Sequence, residues 1–157
     1  MKVTKILEVK GATLFTMSPE QSLADAVILM AEHDIGSVVV MSGGKLVGML
    51  TFREVIRILA KRQMENRTGP TPPVSSFKIS EVMNPSPAIA TPDMDVDTLR
   101  ALMIESHERY LPVMNGDVLL GVVSFHDVAR AVLEMQSFEN KMLKAYIRDW
   151  PEAPAES

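Results

Sequence analysis

Cysteine is absent from the 157 residues of this chain. Its absence excludes disulfides, cysteine-ligated zinc sites and thiol chemistry. Basic residues are not in excess either, because 16 Lys and Arg stand against 20 Asp and Glu and the net charge is -4. Nonspecific binding of nucleic acid requires a basic surface, so we expect no nucleic-acid partner.

Long hydrophobic runs are also missing. No apolar run approaches the roughly 20 residues that a membrane-spanning helix requires, so no membrane partner is expected. The first residues, MKVTKILEVKG, lack the hydrophobic core of a signal peptide. A hydrophobic content of 46% with 23% charged residues is ordinary for a globular domain. We therefore expect a soluble, cytoplasmic protein.

The strongest pattern in the chain is an internal repeat. Residues 19–60 align without a gap with residues 92–133, an offset of 73 positions. The matched positions are spread over the whole segment and include Leu29 with Leu102, Gly43 with Gly116, Gly48 with Gly121, and Phe52 with Phe125. Spacing preserved over this length indicates one structural unit used twice, and two copies are too few for a solenoid. We expect the two units to pack face to face.

Each copy shows the same alternation of strand and helix patterns. In the first copy, apolar residues recur at helical spacing over 22–33, and Ser22 is a suitable N-cap. Strands alternate with these helices and are joined by Gly-containing hairpin turns. The predicted strands are 13–16, 37–41 and 46–50 in the first copy and 88–90, 110–114 and 118–123 in the second; the predicted helices are 22–33, one beginning near Phe52, 96–107, and one beginning at Phe125.

Three further segments complete the chain. A short helix over about 4–10 opens it, and the Pro-, Ser- and Thr-rich stretch 66–76 is predicted to be an exposed linker. The last helix continues past the end of its counterpart, with an apolar side that extends to about Trp150. We expect that side to pack on the module or on a second subunit, and residues 151–157 to form a disordered tail. The apolar side is formed by Val132, Met135, Phe138, Met142 and Tyr146. The predicted division is 1–11 (N-terminal helix), 12–65 (first repeat), 66–77 (linker), 78–136 (second repeat) and 137–157 (extension and tail).

The two strand-to-helix junctions are the candidate site for chemistry. They read GMLTFRE at 48–54 and GVVSFHD at 121–127. Each places a hydroxyl three residues before a carboxylate, which is the pattern of a capping box. The same geometry suits a nucleotide, because the N–H groups of a helix N-terminus bind phosphate and a carboxylate accepts hydrogen bonds from both ribose hydroxyls. Both interpretations stay open. The residues concerned are Thr51 and Glu54, Ser124 and Asp127, and the basic residues Arg53 and His126, which are placed to meet phosphate charge.

The doubled strand–helix–strand–strand–helix unit, ending each time in Gly-x-x-[Ser/Thr]-x-x-acid, resembles a tandem pair of cystathionine-β-synthase (CBS) domains, the Bateman module. RYLPV at 109–113 looks like the central strand of that family, including its proline. IGSVV at 35–39 takes the same place in the first copy, without the proline. The resemblance covers about residues 12–135. It implies an α/β (α+β) fold in which two pseudo-symmetric β-α-β-β-α CBS repeats pack as a Bateman module, with a C-terminal helical extension.

The resemblance also implies a regulatory sensor that is not an enzyme. Such a module binds an adenosine-containing ligand (AMP, ADP, ATP, NAD(H) or S-adenosylmethionine) in the cleft between the repeats, as a regulatory ligand and not as a catalytic cofactor. The residues it assigns to one site are Ser124 and Asp127 at the ribose, with His126 near phosphate and Ile35, Gly36 and Ser37 lining the base pocket. The residues it assigns to the pseudo-symmetric site are Thr51, Arg53 and Glu54, facing Arg109, Tyr110 and Pro112.

Neither predicted site matches the family pattern completely. Glu54 replaces the usual Asp, and its extra methylene displaces the carboxylate. Gly36 and Val39 form a strand edge without the proline, whereas the other site gains a cation in Arg109. The Asp127 site therefore has the better ribose motif, and we expect it to be the main site.

The alternative to a nucleotide sensor is a ligand-free structural, dimerisation and protein-interaction module. No nucleophile–base pair, metal cluster or redox residue supports an enzyme. The resemblance further implies a homodimer, in which two modules stack through their CBS helices while the 138–150 extension crosses between subunits. A sensor with no attached effector domain also requires an effector protein, which the sequence leaves unknown.

Overall fold

The computed structural model describes residues 1–11, 14–65 and 73–148. Within these ranges helices and strands alternate twice in the same order, which confirms the predicted α+β repeat. The helices are α1 (Val3–Lys10), α2 (Leu23–Glu32), α3 (Phe52–Glu65), α4 (Ile79–Val82), α5 (Val96–Ser106) and α6 (Phe125–Arg148). The strands are β1 (Thr16–Met17), β2 (Ser37–Ser42), β3 (Lys45–Thr51), β4 (Tyr110–Asn115) and β5 (Val118–Ser124).

The two hairpins have the same register. β2 pairs with β3 and β4 with β5, both antiparallel, and Val39↔Met49 in the first corresponds to Pro112↔Val122 in the second. Both hairpins also shift register at the same place, between Val40 and Met41 and between Val113 and Met114. Strand pairing in the second hairpin thus repeats that of the first, 73 residues later in the sequence.

The first strand of each repeat differs from the prediction. β1 is confined to Thr16–Met17, where it runs parallel to β2, and Thr13 lies outside the described residues. The strand predicted over 88–90 is reduced to a single parallel bridge, from Ala90 to Val113, which corresponds to Met17↔Val40 in the first repeat. The Ala88 N–H donates instead to the Glu108 carboxylate at 3.0 Å, and Pro87 has no N–H to offer. Pairing with β4 is therefore confined to Ala90, whose N–H donates to Pro112 O at 3.0 Å and whose carbonyl accepts from the Met114 N–H at 2.9 Å.

The helices that precede the two repeats are exchanged between them. Val3 of α1 is fully buried in the core of the second repeat, and Ile79 of α4 is fully buried in the core of the first. The backbone bonds are equivalent too: the Val3 N–H donates to Met94 O at 2.9 Å and the Ile79 N–H to Gln21 O at 2.8 Å. Each repeat therefore completes its apolar core with a segment that the sequence places ahead of the other repeat.

Glycine recurs where an exchanged segment crosses a strand. A Cβ at Gly48 of β3 would lie 2.7 Å from both Asn84 O and Met83 Sδ. A Cβ at Gly121 of β5 would lie 3.0 Å from Leu7 Cδ2 of α1. Only glycine allows both approaches without displacement, which gives a packing reason for its presence in both copies.

Part of the predicted linker is packed and not exposed. Residues 74–76 form a 3-10 turn, and Val74 and Phe77 pack against the core of the first repeat. Residues 66–72 lie outside the described ranges.

The C-terminal extension is helical as predicted. α6 continues for 24 residues to Arg148. Val132 packs against the core of the second repeat, whereas Phe138, Met142, Leu143 and Ile147 are each more than half exposed, so the far end of this side does not pack on the described part of its own module. Trp150 and the predicted tail lie outside the described residues. Within 1–11, 14–65 and 73–148, no helix combines the length and apolar character that crossing a bilayer requires.

Candidate functional site

The second strand-to-helix junction is a complete capping box. The Ser124 N–H donates to Asp127 Oδ2 at 2.8 Å, and the Asp127 N–H donates to Ser124 Oγ at 3.1 Å. These reciprocal bonds occupy donors that the first turn of α6 cannot use within the helix. The capping interpretation is therefore confirmed here, and the bonds also hold the carboxylate at the start of the helix.

The first junction has the same outline but different bonds. Glu54 Oε1 accepts from both the Thr51 N–H at 3.0 Å and the Thr51 hydroxyl at 2.9 Å. The Thr51 oxygen in turn accepts from the Arg53 N–H at 3.1 Å. The longer Glu side chain thus curls back onto the hydroxyl, whereas the shorter Asp127 leaves the Ser124 hydroxyl to the helix backbone. No other donor among the described residues reaches the Glu54 carboxylate.

Asp127 has a partner that the sequence did not predict. Lys10, the last residue of α1, donates from Nζ to Asp127 Oδ2 at 2.8 Å and to Val122 O at 2.8 Å. The two side chains are 37% and 12% exposed respectively. Burial raises the pKa of Asp127, but the hydrogen bonds from Lys10 and Ser124 outweigh burial and lower the pKa below its usual value. Asp127 is therefore an ionised, ion-paired carboxylate at neutral pH.

The edges of the two central strands meet between the repeats. The ring of Tyr110 lies so close to Gly36 that a Cβ there would approach its hydroxyl oxygen and lie 2.6 Å from Cζ. Arg53 Nη1 donates to the His107 carbonyl at 2.9 Å, and His107 ends α5 in the left-handed conformation with φ 58°. Residues predicted for the two separate pockets are thus joined at one boundary.

Direct hydrogen bonds connect the two sides of only one predicted site within the described residues. Arg53 connects the Thr51–Glu54 junction to the segment before β4, so the two sides of that site are adjacent. The hydrogen bonds recorded for Asp127 go to Ser124 and Lys10, and within the described residues none goes to 35–37.

The remaining predicted residues differ in how accessible they are. Ile35, Gly36, Ser37 and Tyr110 are half-buried, Arg109 is exposed, and Pro112 is buried within β4. His126 points along the outside of α6, where its Nε2 lies 3.2 Å from Arg130 Nη2.

A small cavity lies beside the Lys10–Asp127 pair. It has a volume of about 50 Å³ between α1 and α6 and is lined by both residues together with Ile6, Ala131 and Glu134, among others. Pockets for small organic ligands are about 300–1,000 Å³. This cavity is therefore too small for a nucleotide, and it adjoins the carboxylate without being the predicted cleft.

Lys10 and His107 are the contact residues that sequence reasoning missed. Lys10 is 117 positions from Asp127, and only the exchange of α1 brings it near. The one local signal is that Lys10 precedes Gly11 at a predicted helix end. That position favours a cation, which interacts with the last carbonyls of the helix, but it does not identify Asp127 as the partner of Lys10. His107 contributes a backbone carbonyl, which any residue type supplies.

Comparison with known proteins identifies one family. The profile of the CBS domain matches residues 9–61 and 79–134. The CBS domain-containing protein YhcV of Bacillus subtilis is 33% identical over 114 residues, which are 73% of this chain and 75% of that protein. The crystal structure of the CBS-domain containing protein ATU1752 from Agrobacterium tumefaciens has a TM-score of 0.74 at 25% identity and covers 83% of this chain and 98% of that one.

Two more distant structures share the fold and contain ligands. The CBS domain pair of protein MJ0100, in complex with 5'-methylthioadenosine and S-adenosyl-L-methionine, has a TM-score of 0.71 at 22% identity and covers 86% of this chain and 98% of that one. CBSX2 in complex with AMP has a TM-score of 0.67 at 21% identity, with the same coverage of both chains. At these identities the likeness shows the fold alone.

Proposed function

Because this chain belongs to the CBS-domain family, we propose that it is a regulatory module that binds an adenosine-containing ligand between its two repeats. The observation that carries the proposal is the pair of half-buried carboxylates, each fixed at a helix N-terminus three residues after a hydroxyl. Relatives with the same fold contain AMP, 5'-methylthioadenosine or S-adenosyl-L-methionine, all of which include an adenosine group. The shared chemistry is a ribose diol next to an adenine base.

Two unequal sites follow from this proposal. Asp127 and Ser124 bind the ribose at one site, and Glu54 and Thr51 do so at the other. At each junction one carboxylate oxygen takes all the bonds that come from the described residues and the other takes none: Oε1 is used and Oε2 free in Glu54, and Oδ2 is used and Oδ1 free in Asp127. Tyr110 forms a wall between the pockets, since it lies against Gly36.

His126 has a smaller role in the proposal than the sequence predicted. Its ring is directed toward Arg130 on the exposed side of α6. We keep Arg53 as the phosphate-facing cation of the Glu54 site, where it already bridges to the segment before β4. Binding of phosphate there requires Arg53 either to leave the His107 carbonyl or to donate to the phosphate from its other guanidinium nitrogen.

A thermal-shift panel of AMP, ADP, ATP, NAD, NADH and S-adenosylmethionine tests the proposal. A ligand present at about 100 times its Kd adds about 2.7 kcal/mol of stability, which raises the melting temperature measurably. Asp127→Asn and Glu54→Gln form a matched pair, because each removes a charge and keeps the shape. We expect Asp127→Asn to lose most of the shift and Glu54→Gln to keep most of it, because the Asp127 site is the main site. If no ligand shifts the wild-type chain, the nucleotide proposal is wrong.

Exposed apolar helix faces favour a second function, self-association. Phe52, Ile56 and Leu59 on α3 and Phe138, Leu143 and Ile147 on α6 are each at least half exposed. Large apolar side chains grouped on the exposed faces of two helices make a candidate interaction surface. We propose that two copies associate through these helices, and that the extension of α6 packs on the partner.

Sedimentation velocity tests the dimer directly. The wild-type chain should sediment as a dimer at micromolar concentration, and Leu143→Glu should shift it toward monomer. Lys141→Glu, an exposed change on the same helix, is the control for added negative charge. A wild-type monomer, or a dimer that both variants leave intact, would contradict the α6 interface.

A further inference from the structure

Asp127 Oδ2 has no acceptor capacity left. An ionised carboxylate has about four acceptor positions, two on each oxygen. The Ser124 N–H and the Lys10 ammonium both donate to Oδ2 at 2.8 Å, and no described residue donates to Oδ1. A ribose diol that binds a carboxylate through both of its hydroxyls requires one position on each oxygen. One of the two present donors must therefore leave.

Lys10 is the donor that can leave. Ser124 N is backbone, held by the capping box and by the end of β5. Lys10 Nζ is at the end of a flexible side chain that is 37% exposed. The cavity of about 50 Å³ beside the pair gives the ammonium group room to move, since a single water needs only about 10–15 Å³. Glu134 lines the same cavity and offers a second carboxylate.

Movement of Lys10 is confined to the end of α1. Val3 and Ile6 are buried in the second-repeat core and anchor the beginning of that helix. The last turn is held by the Gly11 N–H, which donates to Leu7 O at 3.1 Å, and by the bonds of Lys10 itself. Release of Lys10 therefore loosens this turn and leaves the rest of α1 in place.

The Glu54 junction has no counterpart of Lys10. Glu54 Oε1 also accepts two hydrogen bonds, but among the described residues both come from Thr51, and one of them is from a hydroxyl that can rotate away without any movement of a second segment. The segment exchanged onto the first repeat presents Met83 and Asn84 near β3 and supplies no cation to that carboxylate. The two carboxylates thus differ in their counter-ion as well as in their length.

We propose that Lys10 is a latch on Asp127 that an adenosine ligand must displace. This inference rests on the proposed function of the Asp127 site and adds a competitor that lies within the chain. Lys10 lowers the affinity of that site for a ribose, and occupancy of the site is transmitted to the end of α1. Binding at the Glu54 site, which has no latch, leaves the end of α1 unchanged.

Calorimetric titration of adenosine and AMP tests the latch, with wild type, Lys10→Met and Lys5→Met compared. Lys5 is the matched control, because it lies on the same helix and lines the same cavity, while its own pair, with Glu8 at 3.9 Å, is exposed. We expect Lys10→Met to bind both ligands about tenfold more tightly, which corresponds to about 1.4 kcal/mol, close to the value of a hydrogen bond to a charged group. Lys5→Met should bind as wild type does. Lys10→Gln, which keeps a donor for Val122 O, replaces Lys10→Met if that variant melts early.

Hydrogen exchange provides the second measurement. Saturating adenosine should speed exchange of the Gly11 amide in wild type and leave it unchanged in Lys10→Met. Equal or weaker adenosine binding by Lys10→Met, while Asp127→Asn abolishes binding, would overturn the latch and leave the proposed function standing. Weaker binding of AMP alone would make Lys10 a phosphate contact and also overturn the latch. If neither wild type nor Lys10→Met binds either ligand, the latch fails, and the wider thermal-shift panel decides the proposed function.

Discussion

Replacement of Gly48 by alanine tests the exchange of segments between the repeats. The added Cβ would lie 2.7 Å from Asn84 O and from Met83 Sδ. Asn84 O is also the acceptor for the Met49 N–H at 2.9 Å, so the methyl group meets a hydrogen-bonded backbone atom. Gly121 is the matched position 73 residues later, where the nearest atom is Leu7 Cδ2 at 3.0 Å. That atom is the end of a flexible side chain and can turn away.

The two substitutions should therefore differ in cost. Overpacking a well-packed site costs about 1–3 kcal/mol, and a weakened backbone hydrogen bond adds about 0.5–1.5 kcal/mol. We expect Gly48→Ala to lower the free energy of unfolding by about 2–3 kcal/mol. Gly121→Ala should lower it by less than about 1 kcal/mol. The gain from a stiffer unfolded chain, about 0.4–1 kcal/mol, applies equally to both variants and cancels in the comparison.

Urea denaturation followed by far-UV circular dichroism measures the difference. The two variants should share an m-value, so that their midpoints report stability alone. A Gly121→Ala variant as unstable as Gly48→Ala, or more so, would refute the argument. It would mean that the segment around Asn84 does not lie against β3 as described.

Three further predictions concern the core, a cap and the acid response. Ile79→Ala should lower the free energy of unfolding by about 2–5 kcal/mol, because Ile79 is fully buried in the core of the first repeat. Hydrogen-exchange protection should then be lost from α2 before α5. Earlier loss in α5 would contradict the exchange of segments between the repeats. Ser22→Ala should cost about 1 kcal/mol by thermal denaturation, since Ser22 Oγ accepts from the Asp25 N–H at 3.1 Å, while the exposed Ser42→Ala should cost almost nothing. The pKa of Asp127 is lowered on folding, so its contribution to stability is present above the unfolded value of about 3.9 and is lost as the pH falls through the folded value. Wild type should therefore lose more stability than Asp127→Asn between neutral pH and about pH 3, and Asp97→Asn, at an exposed pair, should behave as wild type.

The repeated elements were predictable because each is encoded locally. Helical spacing over α2 and α5, β-branched runs in β2, and glycine turns such as Gly43 with φ 57° depend on neighbours a few residues away. The capping boxes belong to the same class, because the hydroxyl and the carboxylate are three residues apart. Local patterns of this kind needed no knowledge of the fold.

Contacts between distant segments were not predictable in the same way. The burial of Ile79 in the first repeat and the pairing of Lys10 with Asp127 both follow from the exchange of segments, for which no local signal exists. The strand expected over 88–90 is also shortened by a distant residue, because the Ala88 N–H donates to Glu108, which is 20 positions away. The local hydrogen bonds at the two junctions were predictable from the sequence, whereas the contacts with distant segments were not.

The reciprocal exchange of α1 and α4 has a consequence for the history of the chain. A single repeat that carried its own leading helix could build the same core only by lending that helix to a second copy and receiving one in return. Such an arrangement is a domain-swapped dimer, and exchange of identical elements is a low-cost way for protomers to associate. The present chain has the form of that dimer with its two protomers joined end to end. Once joined, the two halves no longer had to remain identical, and the counter-ion at Asp127 with no equivalent at Glu54 is a difference that a symmetric dimer of one repeat does not permit.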